Sequence, residues 1–509
     1  MSASEHADGS GIPLDLPAPS QWRKEVVASV RQGGRFAGMF GTSADERGCV
    51  LTALVAAAEQ VLVHQTLVTP GAGGRLEYRS LTPRIPGAFW YERALHDLSG
   101  VMPLGHPRLD PLLMPREEGS PAPMPGAPAE AAQADVRPVE LPGPVDLMGR
   151  GMFTLPLGPV RSGVFESIEL LIETPGEDIP HLNVRPHYKH RGVAKQFEGR
   201  SVRDAVLVAE RVEGISTVAH AVAFCEAVER LSGVRVPAPA QALRVVHAEL
   251  ERVANHLDVT MRLADAAGLA VATSRFGWHK EAVLRLVSRL CGSRFGRGVV
   301  VPGGVTRLPT VDHHALRGEV AKLGDLIRSD LAALQSSASF LDRIRGTGPL
   351  PSQTAARHGA LGPIGRASDF ATDVRRDRPY GGYLTLAPVP IACEAAGDAL
   401  ARARVRWREI ETSLALVGAA VNSLHSLPRG ASAVPVGPVT GVGIGWAESA
   451  QGEVLHVVDL EDGVVRRAFA RSPSFHNLVL LHDVFAGDIF TDLPFIEASF
   501  GLGYAGVAM

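Results

Sequence analysis

A Pro- and Ala-rich stretch, residues 116–145 (REEGSPAPMPGAPAEAAQADVRPVELPGPV), most constrains how this 509-residue chain can fold. Such sequence cannot bury enough apolar surface to offset the entropy lost on ordering, so it reads as a linker. It separates a body, residues 146–509, from a smaller N-terminal part. Residues 1–20 are polar and acidic and read as a disordered tail, without the basic start and apolar run of a signal peptide. Residues 21–115 read as a small α/β unit. Periodicity predicts a helix at Trp22–Gln32 and strands at Cys49–Ala57, Gln60–Val68 and Leu76–Leu81. The Gly-rich Thr69–Arg75 is expected to join the last two strands as a hairpin loop.

In the body, alternation over Gly151–Glu173 predicts strands. Apolar spacing predicts helices at His220–Leu231, Ala240–Asp265, Arg275–Cys291, Asp312–Arg345 and Gly397–Leu424. Val300–Gly304 is a Pro-Gly-Gly break. Strands are expected at Val442–Glu448, Gly452–Asp459 and Gly463–Arg471, then a helix at Ser474–Phe485 and a strand-like tail at Phe490–Val507. The fold class is α+β: a small α/β domain, then a large, mainly helical body with antiparallel strands at its edges.

The formal net charge of −3 gives no basic stripe for nucleic acid. Only five of the 51 basic residues are Lys, which with 54 Gly and 37 Pro fits GC-rich coding bias. Cys49, Cys225, Cys291 and Cys393 are far apart, so no disulfide framework or thiolate cluster is expected, and all four read as isolated buried thiols. The apolar runs near Val50–Val63 and Leu414–Val421 are too short or too interrupted to span a bilayer. VPGGV (residues 301–305) lacks the spacing of a phosphate cradle, and GVGIGW (residues 441–446) reads as a strand rather than a dinucleotide loop.

Tyr78–Pro111 reads YRSLTPRIPGAFWYERALHDLSGVMPLGHPRLDP. Spacing alone makes Glu92–His96 and Arg93–Asp97 charge pairs at i, i+4 on a solvated helix. The string resembles the signature of the small hydrophilic subunit of complex I. That subunit is fused to the large one in formate hydrogenlyase-type hydrogenases. Further stretches resemble the large subunit of energy-converting nickel–iron hydrogenases and the quinone-pocket subunit of complex I. They are GPVRSG (158–163), HRGVAK (190–195), ERVEGISTVAHAVAFCEAVERL (210–231), ELERVANHLDV (249–259), VVPGGV (300–305), GRASDFATDVRRDRPY (365–380) and PSFHNL (473–478). Their order and spacing agree from about Tyr78 to the C-terminus.

The resemblance implies a peripheral subunit on the cytoplasmic face of a membrane. It would dock an iron–sulfur small subunit and work with integral membrane subunits that move ions. The iron–sulfur cluster belongs to the partner, no cofactor is expected on this chain, and a quinone or similar acceptor is expected. The nickel-binding motif of the hydrogenases falls on residues 211–216, where Glu213 and Ser216 replace thiolates. The second motif falls on the C-terminal tail, where Gly503 and Gly506 replace the other two. Soft thiolate ligands are what such a centre requires, so no metal is expected.

By the same resemblance, the Tyr and His that hold a quinone headgroup in complex I fall near Gly214 and at Arg161, with His187 close by. His190 and Arg191 are expected beside the partner's cluster, where a cation stabilises the added electron; the alternative is a structural Arg on backbone carbonyls. Glu213 is expected either as a buried proton-relay carboxyl or as a surface or ion-paired Glu, with Arg211 or Arg191 as partner. His220, His247 and His256 read as core or capping histidines. Asp373, Arg375 and Asp377 read as a solvated loop near the cavity. The alternative to a redox subunit is a structural scaffold whose pocket has decayed.

Overall fold

The computed structural model describes residues 15–43, 47–71, 73–115, 151–161, 166–427, 430–485 and 487–509. The expected linker and most of the expected tail lie outside them. Residues 15–20 do not continue as a tail: a helix, Pro19–Arg31, starts there with Pro in its first turn, and Pro17 accepts the Thr66 hydroxyl at 2.6 Å.

That helix buries Trp22 and Val26 beside an antiparallel sheet in the order Arg35–Ser43, Cys49–Ala56, Val61–Val68. The central strand, CVLTALVA, is buried at every position, as a continuous apolar run should be when both faces are covered. Its two faces join different cores. Cys49, Leu51, Ala53 and Val55 pack with Trp22, Trp90 and Tyr91, while Leu54 and Ala56 pack into the helical core of the body.

The strand at Arg35–Ser43 carries no clear alternation to mark it in the sequence. The hairpin expected across Thr69–Arg75 reduces to one bridge, Pro70 to Leu76. Glu77–Arg79 pairs instead in parallel with Met102–Leu104.

The helix Phe89–Ser99 corrects the reading of a solvated face. Glu92, fully buried, accepts from the Tyr78 hydroxyl, the Ser80 and Thr82 hydroxyls and the Leu81 and Thr82 amides at 2.6–3.1 Å. Arg93 caps the Asp110 carbonyl at 2.8 Å, and Asp97 accepts from the Leu112 and Leu113 amides. These charges satisfy distant loop backbone rather than one another.

In the body, Phe153–Leu157, Glu169–Thr174 and His181–Arg185 form one antiparallel sheet. Gly441–Ser449, Gly452–Glu461 and Val464–Arg471 form another. Helices Thr217–Ser232, Ala238–Ala266, Ala270–Cys291, His313–Gln335 and Ala399–Ser426 build the core between them. The expected helix over Asp312–Arg345 breaks, with Ala338–Ile344 a separate helix. The Val300–Gly304 break is a short hairpin of Val300–Val301 with Gly304–Val305. Ser474–Phe485 shortens to a helix at Pro473–Leu478 and a 3-10 turn at Val479–Asp483. The strand-like tail is helical at Leu493–Phe500, which buries Leu493, Phe495, Ile496 and Phe500.

Gly443 and Gly445 let the sheet lie directly on the Thr217–Ser232 helix. A β-carbon on either would stand 2.2 and 2.1 Å from the carbonyl oxygens of Ala227 and Ala223. Among the described residues, no helix is long and apolar enough to cross a membrane.

Candidate functional site

The Thr217–Ser232 helix is Ala-rich and buried along most of its length. The turn that leads into it holds Glu213. In that turn Ser216 donates its amide to the Glu213 carbonyl at 3.1 Å. Glu213 is 1% exposed. Its Oε2 accepts the Ser472 hydroxyl at 2.7 Å, and its Oε1 accepts the Ser474 hydroxyl and the Gly503 amide at 3.2 Å. Ser472 also caps the Pro473–Leu478 helix by accepting the Ser474 amide at 3.0 Å. Burial pushes the Glu213 carboxyl up to about 7, against the lowering effect of these donors and of Arg191. Arg211, the ion-pair partner weighed from sequence, turns to the Leu207 carbonyl instead.

The C-terminal turn, residues 503–506, gathers most of the sequence-selected residues. Gly503 meets Glu213. Ala505 donates its amide to Glu166 at 3.0 Å and accepts Arg191 Nη2 on its carbonyl at 2.7 Å. The Tyr504 hydroxyl donates to Glu497, which also binds both terminal nitrogens of Arg161 at 2.5 and 3.1 Å. Arg161 is therefore already paired. A β-carbon on Gly503 would stand 2.6 Å from Glu213 Oε1, and one on Gly506 would stand 2.5 Å from the Ser472 hydroxyl. Positions 213, 503 and 506 thus converge. Ser216 turns aside, its hydroxyl donating to Gln451 Oε1 at 2.8 Å.

Arg191 also donates to the carbonyls of Arg211 and Val212 at 2.9 and 2.6 Å, the structural alternative weighed above, while its charge acts on Glu213 and Glu166. His190 is partly buried, its Nδ1 has no hydrogen-bond partner, and burial lowers its pKa below the ordinary histidine value. His187 packs on Tyr188, ring centroids 4.2 Å apart, and its Nδ1 has no partner. Gly214 is exposed, with open space where a side chain would point. It stands beside Glu213 at the surface of the chain.

Behind Glu213 lies a pair of buried imidazoles. His220 Nε2 is 3.9 Å from Glu213 Oε2, and its Nδ1 is 3.0 Å from Nε2 of His456. Burial keeps both neutral, His220 at about 3. His256 bonds Glu409 at 2.9 Å, and His247 is buried with both ring nitrogens unpartnered. All three helical histidines are core residues. Asp373 and Arg375 are buried and paired at 2.7 Å rather than solvated. Cys49 and Cys225 are buried, whereas Cys291 and Cys393 are partly exposed; all four are free.

Sequence reasoning missed Ser472, Ser474, Glu166, Glu497 and His456. A signal existed for the serines. Ser472-Pro473-Ser474 is a helix N-cap with Pro in the first turn, and it runs into the PSFHNL string.

The fold is that of a chain similar to hydrogenase-like large subunits of the complex I type. Residues 23–126 match the 30 Kd subunit of respiratory-chain NADH dehydrogenase, residues 265–441 its 49 Kd subunit, and residues 191–259 nickel-dependent hydrogenase. The chain joins the two complex I subunit domains in one polypeptide and is homologous to both complex I subunits and hydrogenases. It is 29% identical to the carbon monoxide-induced hydrogenase of Rhodospirillum rubrum over 68% of this chain and 96% of that protein. To formate hydrogenlyase subunit 5 of Escherichia coli (strain K12) it is 28% identical, over 83% of this chain and 75% of that one. A solved relative is the membrane-bound sulfane sulfur reductase, an archaeal respiratory membrane complex. The match has a TM-score of 0.66 and 25% identity, over 72% of this chain and all of that one.

The residues present do not fit a nickel–iron centre. Such a centre wants four soft thiolates. At the positions that the resemblance pairs with thiolates, residues 213, 216, 503 and 506 offer a carboxylate, a hydroxyl and two glycines, and Glu213 already takes three hydrogen bonds. Among the described residues, no cluster of three or more His, Cys, Asp or Glu side chains is arranged to hold a metal.

Proposed function

We propose that this chain is the peripheral large subunit of a membrane-associated, complex I-like redox complex, on the cytoplasmic face. It docks an iron–sulfur subunit on the face bearing His187, His190, Arg191 and Gly214. Electrons pass from that partner's cluster to a quinone or similar acceptor, and membrane partners move ions in step. Glu213 serves as the proton-exchanging group. The observation that carries this reading is the Glu213 carboxyl: buried, hydrogen-bonded by two hydroxyls and an amide, and raised to about 7 despite the lowering effect of Arg191. A group poised near neutral pH exchanges protons most efficiently.

A second reading, a scaffold subunit with a closed pocket, is favoured by the Arg161–Glu497 pair and by the lack of space at Gly503 and Gly506. One experiment separates the two. The complex is isolated from gently solubilised membranes carrying Glu213→Gln, and its electron-transfer rate is measured against pH. The redox reading expects an intact assembly, at least tenfold slower, without the pH limb near 7. Wild-type turnover from the variant establishes the scaffold reading.

A further inference from the structure

Away from Glu213, the body buries a second set of carboxylates. Arg375 pairs with Glu249 at 3.0 Å and Asp373 at 2.7 Å. Arg366 pairs with Glu409 at 2.8 Å and Glu448 at 3.0 Å. Arg252 pairs with Glu249 at 3.2 Å. His256 also bonds Glu409, but burial lowers it to about 4, so it is neutral at pH 7. Direct pairing thus sets four carboxylates against three guanidiniums. Glu448 is the one left short. It shares Arg366 with Glu409, and burial with the nearby Asp373 pushes it up to about 7, opposed by Arg366, Arg252 and Arg375.

Glu448 lines a narrow cavity between the Thr217–Ser232 helix, the Ala238–Ala266 helix and the Tyr380–Tyr383 turn. Tyr380, whose hydroxyl accepts the Glu448 amide at 2.9 Å, also lines it. The space takes about one water molecule. Gln241 lines it too, and its Oε1 is buried without a hydrogen-bond partner, which suits a bridging water. Glu226 lines the same cavity, and a β-carbon on Gly381 would stand 3.1 Å from Glu226 Oε1. Arg230 donates to Glu226 at 3.3 Å and is 37% exposed, so Glu226 stands between cavity and solvent. Glu229 and Arg244 are the other charges acting on it.

We propose that Glu448 exchanges its proton with solvent through this cavity and Glu226, by a route separate from Glu213. The protonated Glu448 gives H⁺ to a water in the cavity, and that water passes one to the Glu226 carboxylate. Glu226 then releases H⁺ past Arg230. Only O–H bonds break and form, and the reverse sequence reloads Glu448. The arginine-rich network can thus gain or lose one proton without opening the fold.

Infrared spectroscopy of the full chain tests this through the C=O bands of protonated carboxyl groups. Glu448→Gln should remove one band that titrates near neutral pH. Glu213→Gln should remove a different one, so failure here is distinct from failure of the Glu213 reading. In Glu226→Gln, and in Ala248→Leu, which fills the cavity, the Glu448 band should remain. Its shift on transfer to D₂O should slow at least tenfold, and Glu226→Asp should restore the rate. Wild-type exchange in both Glu226→Gln and Ala248→Leu overturns the route. Retention of every band in Glu448→Gln overturns the assignment of the proton.

Discussion

A β-carbon added at Gly503 would stand 2.6 Å from Oε1 of Glu213, and the Gly503 amide donates to that same oxygen at 3.2 Å. The Gly503 backbone, at φ −106° and ψ 121°, suits any residue, so the requirement for glycine there is contact with Glu213. Gly503→Ala should cost about 1–3 kcal/mol by overpacking. In a Glu213→Ala background the methyl has room, and the cost should shrink by about 1 kcal/mol or more. Urea unfolding of the four chains completes the cycle. Equal costs in both backgrounds would mean that the two residues are independent.

The stability of the chain should carry the signature of Glu213 between pH 4.5 and 7. Burial raises the carboxyl from 4.5 in the unfolded chain to about 7 in the folded one. The folded state therefore holds the extra proton in that window, and the stability drawn from Glu213 falls as pH rises through it. Glu213→Gln removes the dependence. Its stability relative to wild type should climb by at most about 1.4 kcal/mol per pH unit from pH 5 to 7, then level off. A difference that stays flat with pH would mean the carboxyl titrates normally. The difference is the quantity to read, because buried histidines such as His220 and His482, both lowered to about 3, slope the absolute stability the other way.

Much of this architecture is legible in the sequence. Long periodic segments such as ALRVVHAELERVANHLDV read as helices and GVGIGW reads as a strand, and the chain folds so at both. What periodicity cannot show is where a charge goes. Glu92 and Asp97 have helical spacing to their neighbours, yet each serves loop backbone 10–17 residues away in sequence. Asp373 and Arg375 read as a solvated loop because Glu249, the partner that draws Arg375 inward, lies 126 residues away from it in sequence. The site was half legible. Positions 213, 503 and 506 came from motif order, but Ser472 and Ser474 enter only because the chain returns 259 and 261 residues later to meet Glu213.

Glu92 offers a stability test remote from the site. Its carboxylate, fully buried, accepts three hydroxyls and two amides. Glu92→Ala strands those donors, and each buried unsatisfied group costs about 1–3 kcal/mol. A loss of at least about 3 kcal/mol is expected in urea unfolding, with the Glu213 titration unchanged. A loss below about 1 kcal/mol would show that the loop carrying Ser80 and Thr82 rearranges freely.

The Arg161–Glu497–Tyr504 tie should hold the C-terminal turn shut. Arg161→Met leaves Glu497 with the Tyr504 hydroxyl alone. Amide hydrogen exchange at residues 503–508 should then quicken at least tenfold, while the Ala238–Ala266 helix stays protected. Unchanged exchange at the turn would assign its order to the Ala505 contacts with Glu166 and Arg191.

Those Ala505 contacts complicate the test of Arg191 as a tuner of the partner's cluster, and two variants are needed. Arg191 makes three hydrogen bonds to carbonyls, of Arg211, Val212 and Ala505. Arg191→Met loses both charge and bonds, whereas Arg191→Lys keeps the charge but cannot reach all three carbonyls. If the charge matters, the cluster's reduction potential in the assembled complex should fall in the Met variant, because the added electron loses a nearby cation. It should stay near wild type in the Lys variant. If only the bonds matter, both variants should loosen the turn at Ala505 and leave the potential alone. Redox titration followed by electron paramagnetic resonance, with hydrogen exchange on the same samples, reads both effects. A potential that does not move in an intact Arg191→Met complex removes Arg191 from electron transfer and leaves it as the clamp that joins the Glu213 turn to the C-terminus.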